Sequence, residues 1–346
     1  MTKSNAVLGV LLAASLLWAY MLTHLAGGGP VGDSSLTIWN VPPQQITRLD
    51  YRNGETRVVV RPDWSEGADT PYIWVETRRP RSRPGRGKRP AAPAEPATET
   101  AAFKGNEFAL SSLRHFAAAP ALRAIGLYDE LDAGEFGFPA PEHYLEIARV
   151  GERPPLRLEL GRNTFGKANQ YAHFTGNGRV YLMRSAEFRR LAQARARMLD
   201  RELLAIKPTE AARIELRAGA LRKSFFRLAA EGQWGQSPED ERSIEAVSAF
   251  LAALSRLKVL SYTPPEENEP ADELGSQLEV WLYPVADSEE GHWVKVLGPE
   301  VMGSDGIGKK KTTVIARSSH SRARVTLSRP LVEQMLREAR GLLQGT

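Results

Sequence analysis

Three short patterns in this chain could carry chemistry, and each lacks a part. Gly303–Lys310 reads GSDGIGKK, close to the phosphate-cradling G-x-x-x-x-G-K-[ST] loop. Lys310 stands where the magnesium-binding hydroxyl belongs. The TTVIA that follows reads as strand, whereas such a loop needs a helix N-terminus aimed at phosphate. We read it as an exposed Gly-rich turn with solvated lysines. Ser255–Lys258 fits S-x-x-K, the acylating-serine pattern of penicillin-recognising enzymes, without the companion S-D-N and K-T-G. His115, His143, His173, His292 and His320 are scattered, with no i,i+4 pair for a metal. His173 alternates with Tyr171 and is expected to fill a sheet face. Glu266, Glu267 and Glu269 lie in a Pro-rich loop where they should be solvated, and no apolar-flanked acid pair suits glycoside hydrolysis.

The chain has no cysteine, which excludes disulfides, thiolate metal sites, iron–sulfur clusters and cysteine nucleophiles together. The sequence therefore predicts no catalytic, cofactor-binding or metal-binding residue. The charged segment RRPRSRPGRGKR is different. Arg78, Arg79, Arg81, Arg83, Arg86, Lys88 and Arg89 put seven cations and no acid into it. The net charge of the whole chain is +5, so the remainder is close to neutral and slightly acidic. The run is expected to act as a solvated tether or as an anion-binding loop for an anionic polymer or lipid headgroups. It has no interleaved aromatic residue, so base stacking and a nucleic-acid partner are not expected.

The elements around these patterns begin with an apolar segment. Residues 4–32 carry no side chain ionised at neutral pH, and Ala6–Ala26 are almost wholly apolar. As a helix that stretch rises about 31 Å, enough to cross a bilayer. A cleaved signal peptide is the competing reading, with Ala26 and Gly28 as a weak cleavage pair. The run is long for that, and Trp18 and Tyr20 are bulky. Lys3 before the span and Asp33 after it keep the short N-terminus cytoplasmic by the positive-inside rule and export the rest. The expected location is a bacterial inner membrane, single-pass, with the bulk of the chain periplasmic.

Beyond the anchor the chain repeats itself. VPPQQITRLDYRNG at 41–54 aligns with IKPTEAARIELRAG at 206–219, with Pro43/Pro208, Arg48/Arg213, Arg52/Arg217 and Gly54/Gly219 identical at a constant offset. Each copy continues as a Gly turn, a second strand, a tryptophan (Trp74, Trp234) and a helix. The expected fold class is α+β: an N-terminal transmembrane helix, then two tandem repeats of a mainly antiparallel sheet packed with helices. The boundaries read 1–30 for tail and anchor, 31–204 for the first repeat and 205–346 for the second. Asn53-Gly54 predicts a type I′ hairpin turn. Residues 78–105, rich in Pro, Ala, Arg and Gly, predict a disordered insertion. Phe108–Ala119 predicts a helix ended by Pro120. Leu156–Leu160, Gln170–Phe174 and Val180–Met183 predict a meander. A linking helix is expected from about Ala186 to Leu204, another from about Ser243 to Leu257, and a last one from Pro330 to about Leu343.

These features together resemble the bacterial family catalogued as domain of unknown function 4340. The resemblance lies in the anchor, in SLTIWNVPPQQITRLDYRNGETRVVV, LELGRNTFGKANQYAHFTGNGRVYLM, MLDRELLAIKPTEAARIEL and GQWGQSPEDERSIEAVSAFLAALSRLKVLSY, and covers roughly residues 5–263. It implies a partner rather than a catalyst, because such proteins often stand beside ABC transporter permease and ATPase components and gliding-motility-type auxiliary subunits. It brings no catalytic residues. The expected function is a non-catalytic accessory or interaction subunit of an ABC-type transport or motility-related system. The alternatives are an envelope polyanion- or lipid-headgroup-binding module that uses the basic loop, and an envelope hydrolase.

Overall fold

The computed structural model of the chain describes residues 36–65, 70–80, 98–138, 142–151, 153–228, 232–240, 243–263, 275–300 and 313–345. The predicted anchor, the loop 81–97, the Pro/Glu-rich segment 264–270 and Gly303–Lys310 lie outside the described residues. Among the described residues no helix is long and apolar enough to cross a membrane.

The fold is mixed α and β, with three antiparallel sheets among the described residues. The first part of the chain supplies β1 (Leu36–Thr37), β2 (Ile46–Asn53), β3 (Thr56–Asp63), β4 (Tyr72–Pro80) and β5 (Thr98–Lys104). Then come α1 (Glu107–Ala118), β6 (Pro120–Ala121), β7 (Arg123–Leu127), α2 (Ala133–Phe136), β8 (His143–Arg149), β9 (Leu156–Asn163), β10 (Asn169–Phe174) and β11 (Arg179–Arg184). Two short helices, α3 (Ser185–Ala192) and α4 (Ala194–Arg197), lead out of this part. The second part is β12 (Arg213–Ala218), β13 (Leu221–Arg227), β14 (Trp234–Gly235), α5 (Glu245–Ser255), β15 (Ser261–Tyr262), β16 (Leu278–Tyr283), β17 (His292–Glu300), β18 (Thr313–Ser318), β19 (Arg324–Ser328) and α6 (Arg329–Gln344).

Strand order decides the architecture. The nine-stranded sheet runs β5-β4-β3-β2-β8-β9-β10-β11-β7 and the eight-stranded sheet runs β14-β13-β12-β16-β17-β18-β19-β15. From β4 onward the two orders superpose strand for strand, and β5 is an added edge on the first. Alternation builds each sheet: Leu49 and Tyr51 turn into a helix-covered core, while Arg48, Asp50 and Arg52 turn to the opposite face. The helices bury their apolar stripes on the core side, with Phe116 and Phe188 packing tilted at 5.8 Å. Asn106 caps α1 by accepting from the Phe108 and Ala109 amides, and Ala119 ends it in the left-handed region before Pro120.

Several sequence expectations are corrected. The insertion expected over 78–105 is shorter: Arg78–Pro80 finish β4, and Thr98–Lys104 form β5, paired with it from Pro80↔Thr98 to Trp74↔Lys104. The Ala- and Thr-rich run gains order from a partner strand, which composition cannot register. The linking helix breaks at Gln193 and ends at Arg197. Beyond it the Met198 carbonyl accepts from the Asn106 amide and the Asp200 amide donates to the Lys104 carbonyl, so edge pairing with β5 overrides the helical stripe. The first hairpin turns at Gly54-Glu55, with Asn53 paired to Thr56. Only Gly54 has positive φ there, the pattern of a II′ rather than a I′ turn. Gly219-Ala220 repeats it in the second sheet. Trp74 pairs with Arg61 on the opposite side of β4 from Ile73 and Val75 and is partly buried against Tyr262, whereas Trp234 is buried, so the two tryptophans are not equivalent.

Candidate functional site

The site is assembled on the face of the first sheet that Arg48, Asp50 and Arg52 share, opposite the buried Leu49 and Tyr51. Asp50, at the middle of β2, is almost fully buried, and Arg57 from β3 grips it through Nε–Oδ1 at 3.0 Å and Nη2–Oδ2 at 2.5 Å. This pair raises the Arg57 guanidinium above its ordinary value, through the hydrogen bond first. The second sheet carries the same clamp at the same offset of 165 residues: Glu215, Arg217 and Arg222 stand where Asp50, Arg52 and Arg57 do. Glu215 accepts from both arginines, with Arg222 Nη2 at 2.9 Å, and their donated bonds outweigh burial and lower its carboxyl.

Beside the first clamp lies a cleft of about 460 Å³, lined on the first sheet by Arg57, Val59, Glu76, Arg78, Thr100 and Ala102 and, from the second sheet, by Tyr262. A smaller recess of about 270 Å³ continues from it past Arg52, Gly54 and Thr98. Arg57 and Arg78 line both. Arg57 is committed to Asp50 and Glu76 to Arg61, which leaves Arg78 and Arg52 without an ion-pair partner among the described residues. Guanidinium groups flanked by threonine hydroxyls suit a carboxylate or phosphate, which a planar fork grips by two hydrogen bonds.

Behind Tyr262, whose hydroxyl bonds the Asp200 backbone, a polar fastener joins the sheets. Lys104 Nζ donates to Asp200 Oδ2 at 2.7 Å, and His320 Nε2 meets the same oxygen at 2.9 Å. Lys104 comes from β5, Asp200 from the connection and His320 from the β18–β19 turn. Burial works to raise Asp200, but hydrogen bonds from His320, Lys104 and the Glu202 amide, with the Lys104 charge, hold its carboxyl at about 2. Tyr262 donates to the Asp200 carbonyl at 2.9 Å, and Tyr72 to the Ser321 carbonyl at 2.6 Å. Burial, then the Asp200 charge, raises the Tyr262 phenol. The adjacent Ser321 is fully buried and donates inward to the Ala323 carbonyl at 2.8 Å, so its hydroxyl is not turned to His320.

The sequence-selected residues distribute unevenly. Arg78 lines the cleft, and Arg79 pairs with Glu99 at 2.9 Å. Arg81, Arg83, Arg86, Lys88 and Arg89 lie outside the described residues, between β4 and β5 in sequence. Ser255 and Lys258 do not meet: Ser255 donates to the Ala252 carbonyl, and Lys258 pairs with Glu202 at 2.6 Å. His173 stacks on Tyr128 at 4.2 Å and meets Glu159 at 3.0 Å on a sheet face. His115 faces Glu187 at 3.2 Å and His143 faces Asn53 at 2.5 Å. No group of three metal-ligating side chains occurs among the described residues. Sequence reasoning missed Lys104, Asp200 and His320. Lys104 and Asp200 lie 96 residues apart and Lys104 and His320 lie 216 apart, beyond the reach of any local pattern.

Comparison with known proteins gives one match. A family model described as a domain of unknown function (DUF4340) covers residues 97–275, a little over half of the chain. The matched region starts at β5, so the opening hairpin and the apolar segment lie before it, and it extends past residue 263. No curated protein and no solved structure matches the chain.

Proposed function

From the premise that this chain belongs to the DUF4340 family, we propose that it is a membrane-anchored envelope protein that works by binding rather than by catalysis. In this reading a duplicated sheet-and-helix unit, spanning 31–204 and 205–346, is held outside the inner membrane by Ala6–Ala26. It serves as an accessory subunit of an ABC-type transport or motility-related system. The observation that carries the binding role is the cleft and its adjoining recess, where Arg78 and Arg52 have no acidic partner among the described residues while Asp50 occupies Arg57. Its occupant is an anionic segment or ligand of the partner, carrying a carboxylate or phosphate. The spacing of Ser255 from Lys258 and the inward turn of Ser321 favour this reading over a hydrolase.

The test is co-purification of the full chain from detergent-solubilised membranes. Wild type is expected to bring down permease or auxiliary membrane subunits, and Arg52→Glu/Arg78→Glu to lose them without losing its own folded signal. Recovery of wild type alone, across detergents, ends the proposal.

A further inference from the structure

Phe165 is fully exposed at the tip of the β9–β10 hairpin. Its exposure is built in. The Thr164 amide donates to the Asn169 carbonyl at 2.8 Å, the Asn169 amide to Thr164 Oγ1 at 3.3 Å, and the Lys167 amide to the Thr164 carbonyl at 2.9 Å. Gly166 and Lys167 complete the tip in the left-handed region, at φ +83° and +57°. A non-glycine residue there is strained, so the loop holds a costly shape that keeps the ring off the sheet.

The strand ends around this tip are rich in cations. Arg162, Lys167 and Arg184 are exposed around it, and Arg52 and Arg78 sit at the same strand ends. None of the five has an ion-pair partner among the described residues, and the exposed acids Asp132 and Glu135 belong to α2 and its N-cap, where Phe136 and Gly137 approach Gly161 and Arg162. Leu36, the first of the described residues, also lies near this end of the sheet. The Leu122 amide donates to the Leu182 carbonyl, Leu36 pairs with Ala121, and β11 ends two residues later at Arg184, beside Asn169. Only residues 27–35 separate Leu36 from the apolar segment, a leash of about 30 Å when fully extended.

We propose that the Phe165 hairpin tip docks on the bilayer that the chain's own apolar segment crosses, the ring entering the headgroup region and Arg162, Lys167 and Arg184 meeting anionic headgroups. The inference rests on the anchored reading above and adds an orientation to it. An aromatic ring flanked by cations is the composition that settles at a membrane–water interface. The cleft mouth at Arg52 and Arg78 then opens beside the membrane, where a permease presents its extracytoplasmic loops.

The absence of cysteine makes the test direct. Phe165→Cys and, as a control, the exposed Val285→Cys in the second sheet each carry one nitrobenzoxadiazole label on the full chain. The chain is placed in nanodiscs of phosphatidylethanolamine with phosphatidylglycerol, or of phosphatidylcholine alone. The label at 165 is expected to shift to the blue and be quenched several-fold by doxyl lipids in the anionic discs, more weakly in the neutral ones, while the label at 285 stays aqueous. Because the dye is itself apolar, hydrogen exchange of 160–175 in the unlabelled chain provides a second readout. It should slow in anionic discs and recover in Phe165→Asp. An aqueous label and unchanged exchange on a disc-bound chain overturn the docking and leave the anchor standing. A chain that leaves the discs sinks the anchor and this inference with it. A label shielded only when a second protein co-purifies, without doxyl quenching, assigns the tip to a protein and also overturns it.

Discussion

Lys104 and Asp200 meet at 2.7 Å with each side chain only about a tenth exposed, joining the edge strand of one sheet to the segment that leads to the other. His320, from the far sheet, shares the same carboxylate oxygen. A buried ion pair of this kind adds little over an apolar substitute, but removing one partner strands the other charge. Lys104→Met leaves Asp200 to His320 and the Glu202 amide, so it is expected to destabilise the chain by about 1–3 kcal/mol, and Lys104→Met/Asp200→Leu by less. Urea unfolding of the two variants decides it. A cost below about 1 kcal/mol for Lys104→Met means that the fastener does not join the sheets.

The same carboxylate makes stability depend on acid. Asp200 is held at about 2, below its ordinary 3.8, so the folded state binds fewer protons than the unfolded one between these values. Its contribution, of about 1–2 kcal/mol, is complete above the unfolded value and is lost as pH falls through the folded one. The unfolding midpoint of Asp200→Asn should lie below wild type at neutral pH, and the gap should narrow as pH falls below about 4. A gap that stays constant down to pH about 2 contradicts the assignment.

The two acid clamps should respond unequally. Arg57 is the ion-pair partner of Asp50, whereas Glu215 has both Arg217 and Arg222. Arg57→Met is expected to cost about 3–5 kcal/mol and Arg222→Met about 1–2 kcal/mol, because Arg217 still covers Glu215. Lying in different sheets, the two losses should add in the double variant. Equal costs would show that exposed arginines and not the buried acids set the energy.

Gly161 on β9 approaches α2 closely. An added Cβ would stand 2.5 Å from the Phe136 carbonyl oxygen, a backbone atom that cannot swing aside. Gly161→Ala should cost about 1–3 kcal/mol in thermal or urea unfolding. A neutral result would mean that α2 can lift from the sheet.

Excising residues 81–97 and joining Pro80 to Thr98 by Asn-Gly should leave the fold intact. Pro80 and Thr98 are already paired, so a two-residue turn closes the same ladder. The change in unfolding free energy is expected to stay within about 0.5 kcal/mol. A large loss would show that the loop packs on the domain.

Much of the fold was legible because it is local. Period-two alternation in Arg48–Tyr51, Thr56–Arg61 and Gln170–Met183, the helical spacing of Leu110, Leu113 and Ala117, and Pro120 after the helix identify elements through contacts a few residues long. The offset between Arg52 and Arg217 anticipated two sheets with the same strand order. What the sequence hid were segments whose state depends on a distant partner. Thr98–Lys104 is weakly apolar and becomes a strand because β4 offers its edge. Met198–Leu199 carry a helical stripe yet run beside Gly105 and Asn106.

By itself the sequence determined the elements, the repeated spacing, the cation count and the absence of thiol chemistry, because each is fixed by side-chain type and local periodicity. Tertiary structure alone decided that Lys104, Asp200 and His320 share one site, that Asp50 occupies Arg57 while Arg78 has no acid partner among the described residues, and that Phe165 stands clear of the sheet. Those outcomes depend on which strands lie side by side. That pairing is selected by the burial and hydrogen bonding of the whole chain and leaves no mark in any short window of it.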